Sequence, residues 1–566
     1  MEKFTKTQLN YTIIIALSLI LFAKCANQLP PTGGDVDRIP PEILDVTPPN
    51  GTVNFKGNSF DLDFSEYVDK RSVQDAIFIS PFVAGGMKYD WSGTSVEVTF
   101  NDSLKRNTTY TITIGTDVKD LNNGNNLAKV FNFAFSTGPE IDQGEINGKV
   151  YTKKTKGIMI FAYRLDSNNI NPSKIKPDYV SQISADGFYK LLGLGNTKYR
   201  VFAIGDKFRD MLYNAGEDSY GAPFSDILIS KEKSKFSDLN FLLTKDDATS
   251  PHLDKAVMID RQHVLLDFSE SIDSNRAAAD NFMLFDSTAS KSVHAKYFYK
   301  GNAGKNKYYI AIADTFNADD KMTLSAEHIF DKKGNELKNE TVEIIPVSKP
   351  DTILPKISKI LTNYADGKAD LYNPKLEVVF AEGIDTNLCK KGIELTDSKN
   401  IKLPVFVKFS DNASFTVIPK IKLKPKQNYK LKIDLNYVVD IAGNKDDSTY
   451  IFNFQTLNYL DYSGASGDYP PDKSDNIRVV LKSIDKVKNN YEESINKNKF
   501  EFKHVYPGKY ILWYYNDSDS SGTYNYGSVY PYKPSEKFDF YGDTLNLRAR
   551  WPVGDIHLSK LNFEEK

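Results

Sequence analysis

Three glutamates recur at one place in one phrase. They are Glu66 in "LDFSEYVD" (Leu62–Asp69), Glu270 in "LDFSESID" (Leu266–Asp273) and Glu382 in "VVFAEGID" (Val378–Asp385). Paired carboxylates can serve as general acid and base or as nucleophile in glycoside hydrolysis. A group that returns in every copy of a repeated unit has a structural task instead, and the spacing predicts a hydrogen bond at a strand end. A second string, "NDSDSSGTYNYG" (Asn516–Gly527), offers hard oxygens from Asp517 and Asp519 and a turn at Gly522. It lacks the later bidentate glutamate of a full calcium loop, so it reads as a polar loop. The six histidines (252, 263, 294, 328, 504 and 557) include no i, i+4 pair, and there is no G-x-S-x-G, P-loop or Cys–His arrangement. A non-enzyme with no cofactor and no metal is expected.

The remaining reactive side chain is a cysteine near the N-terminus. Only Cys25 and Cys389 occur in 566 residues, which leaves no disulfide framework and no thiolate metal site; Cys389 reads as a small buried hydrophobe. Lys3 and Lys6 precede the apolar run Ile13–Ala23, whose 11 residues fall short of the roughly 20 that a spanning helix needs. This is the pattern of an export signal. The segment Ala26–Pro41 carries Pro30, Pro31, Gly33, Gly34, Pro40 and Pro41 and can form neither a helix nor a central strand. It reads as a tether reaching about 50 Å at most.

The elements that must position everything else are strands. Phe60, Leu62 and Phe64 alternate with Ser59, Asp61 and Asp63. The triplets Val264, Leu266, Phe268 and Leu376, Val378, Phe380 repeat the pattern, and period two marks half-buried strands. Each unit opens on a proline before an alternating stretch and closes on a Gly-Asn turn: "DLNNGNN" at Asp120, "DKKGNEL" at Asp331 and "DIAGNKD" at Asp440. A second repeat pairs "DGFYKLLGLGNTKYRVFAIGD" (Asp186–Asp206) with "NKFEFKHVYPGKYILWYYND" (Asn498–Asp517). The aromatic content, 33 Tyr and 35 Phe, suits pleated half-buried surfaces. A net charge of −2 lacks the basic footprint of a nucleic-acid binder.

These phrases resemble known families. "LFAKC" resembles the lipobox of bacterial lipoproteins, with Lys24 where that pattern has a small residue, and "CANQLPPTGGDVDRIPP" resembles the start of Bacteroidetes outer-membrane lipoproteins. The 100-residue units resemble the bacterial Ig-like domain of S-layer proteins. The second repeat is similar to transthyretin-like or carboxypeptidase-regulatory-like sandwiches. The expected build is all-β: a lipoprotein signal peptide at 1–24, a tether at 25–37, Ig-like domains at 38–138, 247–348 and 349–456, and transthyretin-like domains at 139–246 and 457–566. With no long linker between them, the domains are expected to abut in a rod or arc.

The last domain is rich in residues typical of interaction surfaces: Trp513, Tyr515, Tyr524, Tyr526, Tyr530, Tyr532, Arg550 and Trp551. Alternation puts Trp513 and Tyr515 on one face of their strand and Tyr510, Leu512 and Tyr514 on the other. One set is core, and the other is covered by a neighbouring domain or contacts a partner. The resemblance implies a lipid-anchored scaffold of the outer membrane, on the cell surface rather than the periplasmic face, that serves an envelope assembly or export complex through an outer-membrane protein partner. A glycan-binding role in polysaccharide uptake is the second reading. Acyl chains on Cys25 would anchor the chain, since each buried CH₂ contributes about 0.8 kcal/mol. Cys25→Ala should therefore move the protein from the membrane to the soluble fraction; a variant still bound after high-salt and carbonate washes would refute the anchor.

Overall fold

The computed structural model describes residues 37–83, 85–165, 170–364, 367–470, 476–485 and 489–561. Signal and tether, Cys25 included, lie outside the described residues apart from Asp37. The described chain is built of β-sandwiches and divides into two compact units, 1–141 and 142–566.

In the first unit, strands 43–47, 59–64, 95–100 and 87–92 form one sheet and strands 77–80, 109–114 and 131–136 the other. Phe60, Leu62 and Phe64 all point into the core between them, as the alternation requires. Asp69, which ends the repeated phrase, accepts the Ser72 N–H at 2.9 Å and caps the short helix Lys70–Ala76. A carboxylate there satisfies an otherwise unpaired helix N–H.

Within 142–566 the same logic recurs. Residues 253–344 and 357–456 fold as Ig-like sandwiches. Val264, Leu266, Phe268, Leu376, Val378 and Phe380 are all buried, and Cys389 is a buried free thiol whose pKa burial pushes up to about 12. In all three Ig-like repeats the turn glycine (Gly124, Gly334, Gly443) has φ between +73° and +94°, a conformation that glycine adopts without a Cβ clash. Residues 144–245 and 463–557 form the other two sandwiches. Their shared Tyr-led strands start with the same device: Tyr199 donates to the Gly195 carbonyl at 3.0 Å and Tyr510 to the Tyr506 carbonyl at 2.7 Å. In two Ig-like repeats the hydroxyl is instead the acceptor, taking the Lys105 N–H at Tyr110 and the Lys424 N–H at Tyr429. Such tyrosine corners fix the entry of a strand, and both tyrosines follow a leucine by six residues, Leu104 and Leu423.

The rod or arc is not what forms within 142–566. The last sandwich returns onto the first one of this unit. Tyr532 lies over the Arg200 guanidinium at 3.7 Å and meets Phe202 edge-on at 5.9 Å. Arg200 is held flat by two bonds to Asp226, at 2.7 and 2.8 Å. Tyr151 packs on Phe540 at 4.3 Å and on Phe538 at 5.7 Å. Main-chain groups complete the seam: Ser535 N–H to the Pro223 carbonyl at 3.1 Å, Ser535 Oγ to the Ala222 carbonyl at 2.9 Å, and Tyr220 Oη to the Gly527 carbonyl at 2.9 Å. Four sandwiches thus close on themselves, because the Tyr-rich loop after residue 516 reaches back to the domain that resembles its own.

Candidate functional site

The aromatic set of the last domain divides on inspection. Tyr510, Leu512 and Tyr514 form its core. On the opposite face, Tyr515 is buried and Trp513 half-buried, covered by Tyr524 and Phe540 in ring contacts of 5.6 to 6.1 Å. Tyr524 also donates to the Glu536 carbonyl at 3.0 Å and holds Tyr526 edge-on at 4.8 Å. Tyr532 is spent on Arg200. A free platform of seven aromatics is therefore not formed; neighbouring residues of the same chain cover most of it. Tyr530 (48% exposed) and Trp551 (73% exposed) remain on the surface with Arg550. The Trp551 carbonyl takes a bond from Ser463 Oγ at 3.0 Å, while the Arg550 N–H reaches the Tyr462 carbonyl at 2.9 Å. Their backbone is pinned and their side chains project.

Asp517 and Asp519 gain Glu536 as a third acid within 4.8 Å. A cation of the protein already serves there: Arg478 Nε is 3.1 Å from Asp517 Oδ2. Asp519 is exposed and accepts from Ser521 N–H and Asn525 Nδ2, each at 3.0 Å. Asp517 Oδ1 is buried without a hydrogen-bond partner.

The repeated glutamates behave otherwise than the sequence suggests. Among the described residues no strand-end hydrogen bond explains them. Each meets two aspartates, giving Asp37–Glu66–Asp120, Asp247–Glu270–Asp331 and Asp351–Glu382–Asp440, with one oxygen from each residue within 4.8 Å of the others. The first aspartate precedes the unit's opening strand, the glutamate follows the second strand, and the last aspartate begins the Gly-Asn turn. The turn asparagine ties the entrance down: Asn125 Nδ2 donates to the Asp37 carbonyl at 3.1 Å, Asn335 to Asp247 at 2.8 Å and Asn444 to Asp351 at 3.3 Å. A signal for this was present, since each unit has Asp-x3-Pro at its start (Asp37/Pro41, Asp247/Pro251, Asp351/Pro355) and Asp first in its turn. Without the fold, nothing placed these residues beside the glutamate.

The third triad is the most enclosed. Asp351 and Asp440 are 7% and 4% exposed, and Asp351 Oδ2, Asp440 Oδ2 and Glu382 Oε1 are buried without a hydrogen-bond partner. It lies where two Ig-like sandwiches meet. There Phe298 N–H donates to Asn412 Oδ1 at 3.2 Å and Lys300 N–H to Asp411 Oδ2 at 3.1 Å. Gly383, next to Glu382, lies so close to Tyr299 that a Cβ would stand 2.8 Å from the ring. His263 adds a basic group 3.8 Å from Asp351 Oδ2, its Nδ1 engaged by Asp260 at 3.0 and 3.1 Å. Burial, and then the negative charges of Asp351 and Asp440, push the Glu382 carboxyl up to about 8, with His263 opposing and Asp260 adding to the rise. Burial likewise heads the causes that raise Glu66 and Glu270.

Residues 37–137 and 351–456 match the bacterial Ig-like domain family. Among solved structures, the N-terminal part of the bacterial S-layer protein SbsC is similar at 15% identity over 37% of this chain and 45% of that one, with a TM-score of 0.17. The major pilin subunit BcpA of Bacillus cereus is similar at 9% identity over 74% and 99%, TM-score 0.14. A Bacteroides ovatus glucan-utilization protein, SGBP-B, in complex with a mixed-linkage heptasaccharide, is similar at 10% identity over 69% and 88%, TM-score 0.15. The chain spans 45%, 64% and 65% of three S-layer chains that it is similar to. No curated protein matches it. Among the described residues no helix is long and apolar enough to cross a membrane.

The raised Glu382 carboxyl has a consequence for stability. Between its unfolded value of 4.5 and about 8, the folded metal-free chain holds a proton that the unfolded chain has lost. Its contribution is complete below 4.5 and falls as pH rises through that window. In chelator, the melting temperature of the wild type should drop from about pH 5 to 8 more steeply than that of Glu382→Gln. Thermal unfolding across pH reads this out, and parallel profiles would contradict the placement.

Proposed function

We propose that this chain is a non-catalytic scaffold of the cell envelope, anchored to the outer membrane through acylated Cys25, and that it serves as an accessory subunit of an assembly or export complex. The observation that carries this reading is the return seam of Tyr532, Arg200, Tyr151 and Phe540. Four sandwiches held in a closed frame keep attached partners at a fixed separation, which suits a scaffold. Of the aromatic residues that could have formed a ligand platform, Tyr532 is built into that frame and Trp513, Tyr515 and Tyr524 pack on one another. The acids are likewise deployed three times over, at the entrance of each Ig-like unit, as structural parts are. A cell-surface position agrees with the export pattern and with the Ig-like segments.

Exposed Trp551 supports the second reading, a carbohydrate-binding surface lipoprotein, because a projecting indole can stack on a sugar face. One experiment separates the two. Purified from detergent-solubilised membranes, the native protein should bring down outer-membrane proteins in fixed stoichiometry. Recovery of the protein alone, together with glycan binding lost in Trp551→Ala, would favour the carbohydrate reading and overturn the scaffold.

A further inference from the structure

We propose that Asp351, Glu382 and Asp440 form a calcium site at the junction between the second and third Ig-like sandwiches. Three carboxylates meet there with one oxygen of each within 4.8 Å of the others, inside the span of about 5 Å open to two ligands of one Ca²⁺. Crowding alone does not make a site. The deciding observation is that Asp351 Oδ2 and Asp440 Oδ2, on residues more than nine-tenths buried, and Glu382 Oε1 beside them lack any hydrogen-bond partner. Buried carboxylate oxygens in native proteins are bonded, paired or bound to a cation.

The remaining oxygens are already used in ways that aim these three. Asp351 Oδ1 accepts the Ile353 N–H at 2.9 Å and Asp440 Oδ1 the Asn444 N–H at 2.8 Å. Each bond turns its carboxylate so that one oxygen is held by main chain and the other is left over. His263 does not fill the need: it stands 3.8 Å from Asp351 Oδ2 and its Nδ1 is committed to Asp260.

The donor set names the metal. All three ligands are hard oxygens, which select Ca²⁺, Mg²⁺ or Mn²⁺ over softer metals. Mg²⁺ keeps most of its waters and takes one or two carboxylates, whereas Ca²⁺ accepts many protein oxygens in flexible geometry. Asp351 comes from the segment linking the two sandwiches, and Glu382 and Asp440 come from the third. A cation here would fasten the link to the domain it enters. The equivalent residues of the other two repeats, Asp37–Glu66–Asp120 and Asp247–Glu270–Asp331, are more open to solvent and are not part of the proposal.

The test uses the full chain stripped by chelator and returned to Ca²⁺. Bound calcium is counted by equilibrium dialysis with elemental analysis, and melting is followed in parallel. Glu382→Gln and Asp440→Asn should each bind one Ca²⁺ fewer per chain than the wild type, while Glu66→Gln should keep the calcium-dependent rise in melting temperature that this site gives. Because Glu382→Gln places no ionisable group between the two aspartates, it should fold and melt at or above the wild type in chelator, yet lose most of the wild type's rise in melting temperature on adding Ca²⁺. Mg²⁺ at equal concentration should give a smaller rise. Equal calcium counts in wild type and Glu382→Gln, or no calcium-dependent change in wild-type melting, would overturn the site. A larger response to Mg²⁺ would overturn its assignment to calcium. None of these outcomes depends on whether the chain recruits a membrane partner.

Discussion

The stacking of Tyr532 on Arg200 is the contact on which the arrangement of residues 142–566 depends. A ring face on a guanidinium is worth about 0.5–2 kcal/mol, too little by itself to hold two domains. Here the planar guanidinium is already oriented by two bonds to Asp226, so little freedom is lost when the ring settles on it. Main-chain bonds at Ala222, Pro223 and Gly527 and the packing of Tyr151 on Phe540 add the directionality that stacking lacks. The seam also joins the ends of a series. Once the last sandwich is fixed to the first one of this unit, the junctions between them can no longer hinge independently.

That constraint gives the acid triads their meaning. A junction whose geometry is set from outside can keep groups together that would otherwise move apart. Asp351, Glu382 and Asp440 repel one another, and burial deepens the cost. In a free hinge the simplest relief would be to open. In a closed frame the relief has to be chemical: a proton on Glu382, or a cation among the three. The first and second repeats sit more openly, and their opening aspartates, Asp37 and Asp247, are less buried than Asp351. The same three residue types therefore give graded electrostatic strain according to how tightly each entrance is enclosed.

Much of this was legible in the chain. Alternation at Phe60–Phe64, Val264–Phe268 and Leu376–Phe380 gave strands with the buried face correctly assigned, since period two leaves one choice of face once the aromatic positions are fixed. The Gly-Asn turns announced positive φ. Two things were not legible. The aromatic-rich tail has the composition of a binding surface, and composition does not distinguish a partner in another chain from a partner 300 residues upstream. The triads escaped for a related reason: the aspartates lie 23 to 61 residues from their glutamate, and only sheet pairing brings the linker aspartate and the turn aspartate to it. The glutamate reads in the sequence as a hydrogen-bonding group at a strand end, whereas the fold sets it against two other acids.

The closed frame is the claim that everything else leans on, and a distance distribution tests it most directly. Spin labels at exposed Lys231 and Lys503, one on each side of the seam, would be measured by pulsed electron resonance in the full chain. A single narrow distribution that broadens when Tyr532 and Arg200 are both replaced by alanine is the predicted result. A broad distribution in the otherwise wild-type chain, unchanged by those replacements, would contradict closure and return the domains to an open array.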